Sequence, residues 1–183
     1  MADEWRRREF GALLAGAGLA AGLGKTARAS EPHENEGLTS SAEAIHQEID
    51  FDVPRARVYG VLLDAKAFYG VVKLGRAYKS NALPDIPASI DPTEGGAFAL
   101  FGGFIQGRNV ELVPGKRIVQ AWREESWDKG AYSLVRFAFE DRSAGCRIVF
   151  DHTGFPKGAG GHLSSGWYAD YWDPMRAYLA VPG

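Results

Sequence analysis

Apolar and polar side chains alternate along residues 44–53, where aliphatic and aromatic positions take turns with acidic residues and a histidine. A period of two predicts a β-strand with one buried face and one face in water. Pro54 then opens a helix, because proline is tolerated in the first helical turn. We therefore predict a helix after Pro54 and a second short helix over residues 64–69, broken at Gly70.

Short stretches with strand periodicity follow from residue 88 onward, separated by turn signals such as Gly102-Gly103 and Pro114-Gly115. They predict about six strands, over residues 89–91, 97–101, 104–113, 116–124, 133–140 and 146–153. The preceding residues 78–87 contain two prolines and several polar residues, which indicates an irregular loop. Few connections are long enough for crossovers, so we expect a largely antiparallel sheet.

Large apolar residues recur every four positions near the C-terminus, which predicts one long amphipathic helix. The stripe consists of Leu163, Trp167, Tyr171, Met175 and Leu179. Tyr168 and Trp172 fall on the other flank and are expected nearer the surface, and Pro174 is expected to bend the helix. One strand, two helices, about six strands and a long helix together predict an α+β fold.

The first 29 residues have a different pattern, which is typical of a twin-arginine export signal. An arginine pair is followed by an apolar run rich in glycine and alanine, and a small-x-small pattern precedes a signal-peptidase site. The signal positions are Arg7, Arg8, Phe10, Ala27 and Ala29. We therefore expect the twin-arginine export machinery to be a partner and the protein to be periplasmic or otherwise exported.

A membrane anchor and a disordered basic tail are the alternative interpretations of this segment. The apolar run, residues 10–23, is short of the roughly 20 residues that span a bilayer. We therefore expect no permanent membrane anchor. If the signal interpretation is wrong, the predicted location is the cytoplasm.

Cleavage after Ala29 would leave 183 − 29 = 154 residues, which is about the size of one domain. We interpret residues 30–43 as a flexible polar leader and residues 44–182 as the domain. The signal carries five cations and three anions, so the net charge changes from −2 to −4 on cleavage. A nucleic-acid-binding protein would show a basic face instead.

The composition also bears on cofactors. The only cysteine, Cys146, has no disulfide partner within the chain, and its strand phase indicates a buried thiol. The four histidines lack the paired spacing of a metal site. No serine or cysteine has a base and an orienting acid at a recognised spacing. We expect neither a metal nor another cofactor.

A series of short motifs runs through the strand region and the last helix. They are Gly95-Gly96-Ala97-Phe98, Leu100-Phe101-Gly102-Gly103, Gly107, the run from Glu111 to Val119, Trp122-Arg123, Ser126-Trp127, Gly154-Phe155-Pro156, Gly166-Trp167 and Tyr171-Trp172. In this order they resemble the C-terminal domain of the heat-shock protein 90 ATPase activators, and the likeness covers residues 44–181. It implies the helix-grip fold of the START-like, or SRPBCC, superfamily. In that fold a curved antiparallel sheet wraps around the long C-terminal helix, often with a cavity between them.

The helix stripe and the inner face of the sheet would line such a cavity. The candidate residues are Gln120, Trp122, Phe137, Phe139, Phe150, His152, Leu163, Trp167, Tyr171 and Met175. Strand phase turns His152 inward, either as a structural histidine with a hydrogen bond or as a polar anchor for a ligand. The phase around Arg108 and Asn109 stays open.

Three functions compete at this point. The first is non-catalytic binding of a small apolar or aromatic molecule in the cavity. The second, which the resemblance implies, is assistance to a chaperone ATPase. The third is a cavity enzyme that uses His152 with Asp170 as its partner. Export favours the first function, because an exported protein would not meet a cytosolic chaperone.

Overall fold

The computed structural model describes residues 43–81 and 83–181, so the predicted export signal and nearly all of the predicted leader lie outside the described part. Strand β1 (Ala44–Phe51) is followed by helices α1 (Arg55–Leu63), α2 (Ala65–Val72) and α3 (Arg76–Lys79). Six strands come next: β2 (Ser89–Ile90), β3 (Ala97–Leu100), β4 (Ile105–Val113), β5 (Arg117–Glu124), β6 (Ser133–Asp141) and β7 (Cys146–Thr153). A 3₁₀ turn, Phe101–Gly103, links β3 to β4.

The seven strands form one antiparallel sheet in the order β1-β7-β6-β5-β4-β3-β2. Burial alternates along every long strand, as in β1, where each second residue is buried. The buried positions of all strands therefore share one face, against which the helices pack. The predicted α+β helix-grip architecture is confirmed.

The alternation of burial from Ile105 resolves the open phase on β4, and a β-bulge follows it. The register with β5 shifts between Asn109 and Glu111, which leaves Val110 as an extra, exposed residue. Asn109 lies before the bulge, in phase with Ile105 and Gly107, and is fully buried. Its side chain donates to Asp91 O at 2.8 Å and accepts from Gln120 Nε2 at 3.0 Å. Arg108 points outward and donates to Gly95 O.

Helix α2 continues through Gly70 to Val72, so the predicted break at Gly70 is wrong. A Cβ atom at Gly70 would lie 2.8 Å from the ring of Tyr178. The glycine therefore serves the close approach of the C-terminal helix rather than a helix end. The start of α2 follows local rules, because Asp64 caps it by accepting from Ala67 N at 2.7 Å.

The segment predicted to be an irregular loop, residues 78–87, also differs at its start. Helix α3 occupies residues 76–79, and the carboxylate of Asp170 accepts from Ala77 N in its first turn at 2.7 Å. A carboxylate stabilises the N-terminal end of a helix electrostatically. This long-range contact is invisible to local periodicity, which explains why the sequence pattern did not indicate the helix.

The predicted long C-terminal helix is present as three consecutive parts. They are α4 (Gly160–Gly166), a π-helical segment (Trp167–Trp172) and α5 (Asp173–Leu179). In the π-helical segment the N–H of Asp173 bonds to Tyr168 O, five residues back. Pro174 follows at once and has no N–H to continue an α-helical ladder. The disturbance expected from Pro174 thus takes the form of a π-helical segment before it.

The π-helical segment also corrects the prediction for Trp172, which is fully buried and not near the surface. Wider helical turns bring residues five apart onto one face. Trp172 therefore stacks on Trp167, with ring centroids 5.5 Å apart and planes 20° apart. Tyr168, the other residue assigned to that flank, is exposed as predicted.

The thiol of Cys146 is fully buried in the core, and burial raises its pKa. None of the described helices has the length and apolarity that crossing a membrane requires.

Candidate ligand-binding site

A cavity of about 330 Å³ lies between the C-terminal helix, strands β4 and β5, helix α3 and the turn that links β3 to β4. Its lining is mostly aromatic and aliphatic, with charged side chains among it. The lining residues are Arg76, Ala77, Ser80, Leu83, Phe101, Phe104, Ile105, Trp122, Glu124, His162, Leu163, Gly166, Trp167, Asp170 and Tyr171. The cavity lies at the end of the sheet where β3 ends, β4 begins and β5 ends.

Four of the ten residues proposed from the sequence line this cavity: Trp122, Leu163, Trp167 and Tyr171. The other six lie on the same inner surface of the domain, packed into the buried core beside the cavity rather than lining it. They are Gln120, Phe137, Phe139, Phe150, His152 and Met175. Helix periodicity and strand phase thus identified the inner surface, but not which part of it is open.

Sequence reasoning missed the cavity residues contributed by loops and by α3. Glu124 could have been found, because it lies two residues after Trp122 on β5 and shares its inward phase. Phe101 and Phe104 carry no such signal, since a 3₁₀ turn has no strand periodicity. Only the fold brings this turn against the helix.

Aromatic rings form the main wall of the cavity. The ring centroids of Trp167 and Tyr171 are 4.2 Å apart, and those of Phe101 and Tyr171 are 5.4 Å apart. Trp122 packs against Trp167 at 5.8 Å. Phe101 has a left-handed backbone with φ of 52°, which is uncommon for a residue other than glycine. This conformation places its ring between Tyr78 and Tyr171.

His152 lies behind this wall with both ring nitrogens occupied. Nδ1 accepts from the Trp167 indole N–H at 3.1 Å, so Nε2 carries the proton and donates to Ser133 Oγ at 2.7 Å. The Ser133 hydroxyl in turn donates to Trp122 O at 2.9 Å. Burial lowers the pKa of His152 to about 3, so the ring is neutral near neutral pH.

The pair suggested for a cavity enzyme does not form. Asp170 Oδ1 accepts from Ala77 N, and Asp170 Oδ2 pairs with Arg76 Nη2 at 3.5 Å. His152 hydrogen-bonds instead to Trp167 and Ser133. The geometry gives His152 a structural role, since a general base needs a free nitrogen within reach of its substrate.

A second buried polar link ties the helix to the sheet. The indole N–H of Trp172 donates to Gln47 Oε1 at 2.6 Å, and Gln47 Nε2 donates to Ser164 O and Oγ at 3.2 Å. Gln47 is 6 % exposed and lies on edge strand β1. Its amide therefore fixes the helix against the edge of the sheet.

Charged side chains also line the cavity. Glu124 Oε1 pairs with His162 Nε2 at 3.2 Å, and Asp170 pairs with Arg76. Within the described part of the chain, no three histidine, cysteine or acidic side chains cluster so as to hold a metal ion. The arrangement suits a largely apolar molecule with a polar end.

The fold and the cavity define a helix-grip protein, in which a curved antiparallel sheet wraps around a long C-terminal helix and a cavity lies between them. A model of the family described as "Activator of Hsp90 ATPase homolog 1-like protein" matches residues 52–180, which is most of the chain. The chain belongs to this family.

Curated relatives support the assignment over part of their length. The chain is 34 % identical over 99 residues to the "Activator of 90 kDa heat shock protein ATPase homolog" of Dictyostelium discoideum, covering 54 % of the chain and 26 % of the relative. It is 27 % identical over 96 residues to the human homolog 1, covering 52 % of the chain and 28 % of the relative. The match thus spans little more than a quarter of either relative.

Solved structures share the fold. An Hsp90 activator from Plasmodium falciparum superposes with a TM-score of 0.63 at 23 % identity, covering 77 % of this chain and 97 % of that one. CalU16 from Micromonospora echinospora gives a TM-score of 0.57 at 19 % identity, covering 76 % of each chain. Identities this low show a common architecture and nothing further.

The buried state of His152 predicts how stability depends on pH. Its folded pKa of about 3 lies below the ordinary value of 6.5, so the unfolded chain takes up the proton first as the pH falls. Stability should therefore decrease between about pH 6.5 and pH 3, by up to about 1.4 kcal/mol per pH unit from this group. Urea unfolding of wild type and His152→Gln across that range should show a shallower loss in the variant.

His46→Gln is the matched control for this experiment. Donation of a hydrogen bond from His46 Nδ1 to the Asp151 carboxylate raises the pKa of exposed His46, so the stabilisation by this pair is present at low pH and is lost as the pH rises through the folded pKa. The His46→Gln substitution should therefore not reduce the loss of unfolding free energy that occurs as the pH falls. If the unfolding free energy of wild type and of His152→Gln changed equally with pH, the neutral, buried state of His152 would be contradicted.

Proposed function

We propose that the protein binds a small, largely apolar or aromatic molecule in the cavity between the sheet and the C-terminal helix, without chemical turnover. The observation that carries the proposal is the aromatic-lined cavity of about 330 Å³. Ligand pockets commonly begin at roughly 300 Å³ and are lined by apolar side chains with a few polar groups. The structural role of His152 removes the one residue that favoured catalysis.

Gly166 offers a direct test, because it lines the cavity and a Cβ atom there would meet no atom within 4 Å. A leucine at this position should fill the cavity and improve the helix, since leucine is a better helix former than glycine. We expect the neutral fluorescent dye N-phenylnaphthylamine to bind wild type and raise its melting temperature. Gly166→Leu should lose most of the dye binding while remaining folded.

Gly161→Leu is the matched control. Gly161 lies on the same helix, is exposed and also has free space around its Cβ position, but it does not line the cavity. This variant should bind the dye as wild type does. Failure of wild type to bind the dye, or equal binding by Gly166→Leu, would contradict the proposal.

We also propose that the protein acts outside the cytoplasm after twin-arginine export. The support is the pattern of residues 1–29, in which Arg7 and Arg8 precede an apolar run and a small-x-small site. Intact mass of the protein from its native host should place the mature N-terminus at Ser30. Replacing both arginines by lysine should leave an uncleaved, cytoplasmic chain, whereas an unchanged mature N-terminus would exclude this route.

Chaperone assistance is the second candidate, and membership of the activator family favours it. The matched stretch corresponds to only about a quarter of the length of the curated relatives, so this chain need not share their whole activity. We expect the full chain to leave the ATPase rate of purified heat-shock protein 90 unchanged. A stimulation that survives in Gly166→Leu would place the chaperone function first and make it independent of the cavity.

A further inference from the structure

The charged side chains that line the cavity are arranged by depth. Glu124 is 7 % exposed, and the side chain of Asp170 is 13 % exposed, so both carboxylates lie inside. The side chains of their partners are far more open, at 64 % for His162 and 60 % for Arg76. The cavity therefore has two carboxylates within, and basic side chains reach toward them from solvent.

The two carboxylates differ in the kind of partner to which they bond. Asp170 accepts from a backbone N–H of α3 and pairs with Arg76, so it holds that helix in place. Among the residues that the structure describes, Glu124 bonds only to the exposed imidazole of His162 at 3.2 Å and to the hydroxyl of Ser126 at 3.4 Å. An ionised carboxylate offers about four acceptor sites. A pair with an exposed partner is also weak and readily exchanged.

The cavity interior itself favours positive charge. Burial raises the pKa of Tyr171, the neighbouring Trp122 opposes the rise, and the negative charges of Asp170 and Glu124 add to it. The negative potential of both carboxylates thus reaches the aromatic wall. Rings in that wall attract a cation through their faces, and most strongly when it is a tryptophan ring.

Two polar atoms in the same wall lack a hydrogen-bond partner among the described residues. They are the indole N–H of Trp122 and the hydroxyl of Tyr171, both in side chains more than nine-tenths buried. The two groups are neighbours, and the Trp122 N–H opposes the rise in the Tyr171 pKa as a donor would, but their geometry falls short of a regular hydrogen bond. This part of the wall is therefore polar and incompletely satisfied, unlike the closed network around His152.

We propose that the cavity takes an aromatic amine, whose rings lie against the aromatic wall and whose ammonium group bonds to Glu124 in place of His162. The inference rests on the proposed ligand-binding function and adds the chemical class of the ligand. An ammonium group has three hydrogen-bond donors and a positive charge, so it can act as the charged partner that a buried carboxylate needs. A charge-assisted hydrogen bond of this kind is stronger than one between neutral groups.

Three probes of similar shape test the charge preference: naphthylethylamine, the uncharged propylnaphthalene and the anionic naphthylacetate. Each is titrated against the full chain near neutral pH by displacement of N-phenylnaphthylamine. The amine should bind most tightly and the carboxylate most weakly, because Glu124 and Asp170 repel an anion. Glu124→Gln keeps the shape and removes the charge, so it should weaken amine binding by about tenfold or more, as expected for loss of a charged hydrogen bond.

Glu125→Gln is the control. It removes the same charge as Glu124→Gln, but Glu125 is exposed to solvent and is the next residue in the sequence. It should change none of the three affinities by more than about twofold. Propylnaphthalene should bind Glu124→Gln as it binds wild type, which verifies that the cavity is intact. Equal amine affinity for wild type and Glu124→Gln, or a preference for naphthylacetate, would overturn the amine inference alone. If neither the dye nor propylnaphthalene binds wild type, the ligand-binding function itself fails.

Discussion

The indole of Trp167 is the contact on which the helix-grip arrangement depends. It is 2 % exposed, its ring centroid lies 4.4 Å from that of Phe150, and its N–H bonds to His152. One side chain therefore joins the helix to β7 by packing and by a directed hydrogen bond. Because the same indole also lines the cavity, the position of the helix and the shape of the binding space are set together.

The π-helical segment explains how so many rings reach the sheet from one helix. In an α-helix, a residue five positions after Trp167 would turn away from the face that Trp167 occupies. The wider turn returns Trp172 to that face, where its N–H reaches Gln47 on the edge strand. Trp167 and Trp172 thus fasten two different strands, β7 and β1, and the helix cannot roll without breaking one of these bonds. Single π-helical turns are often found at functional sites, and here the turn lies beside the cavity.

Local patterns predicted those parts of the structure that local physics determines. Strand alternation gave the inner face from Ile45 to His152, and the four-residue spacing from Leu163 to Leu179 gave the helix. The errors over α3 and Gly70 have one cause, which is dependence on distant partners. Helix α3 is stabilised by Asp170, about ninety residues later, and Gly70 continues a helix because Tyr178 packs there. The cavity follows the same rule, because its open volume depends on where the turn at Phe101 meets the helix.

Hydrogen-bond satisfaction distinguishes two of the groups of buried polar residues in this domain. The network of His152, Ser133 and Trp167 is closed, since each donor has an acceptor, and such a network fixes a unique packing. The group around Glu124 and Tyr171 is open, since a buried carboxylate depends on an exposed imidazole and a buried hydroxyl has no partner among the described residues. Unsatisfied buried polar groups cost stability, and here they lie in the cavity wall, where a bound molecule could reach them. The same contrast explains why His152, the most prominent polar residue in the sequence pattern, is structural and why Glu124 is the stronger candidate for recognition.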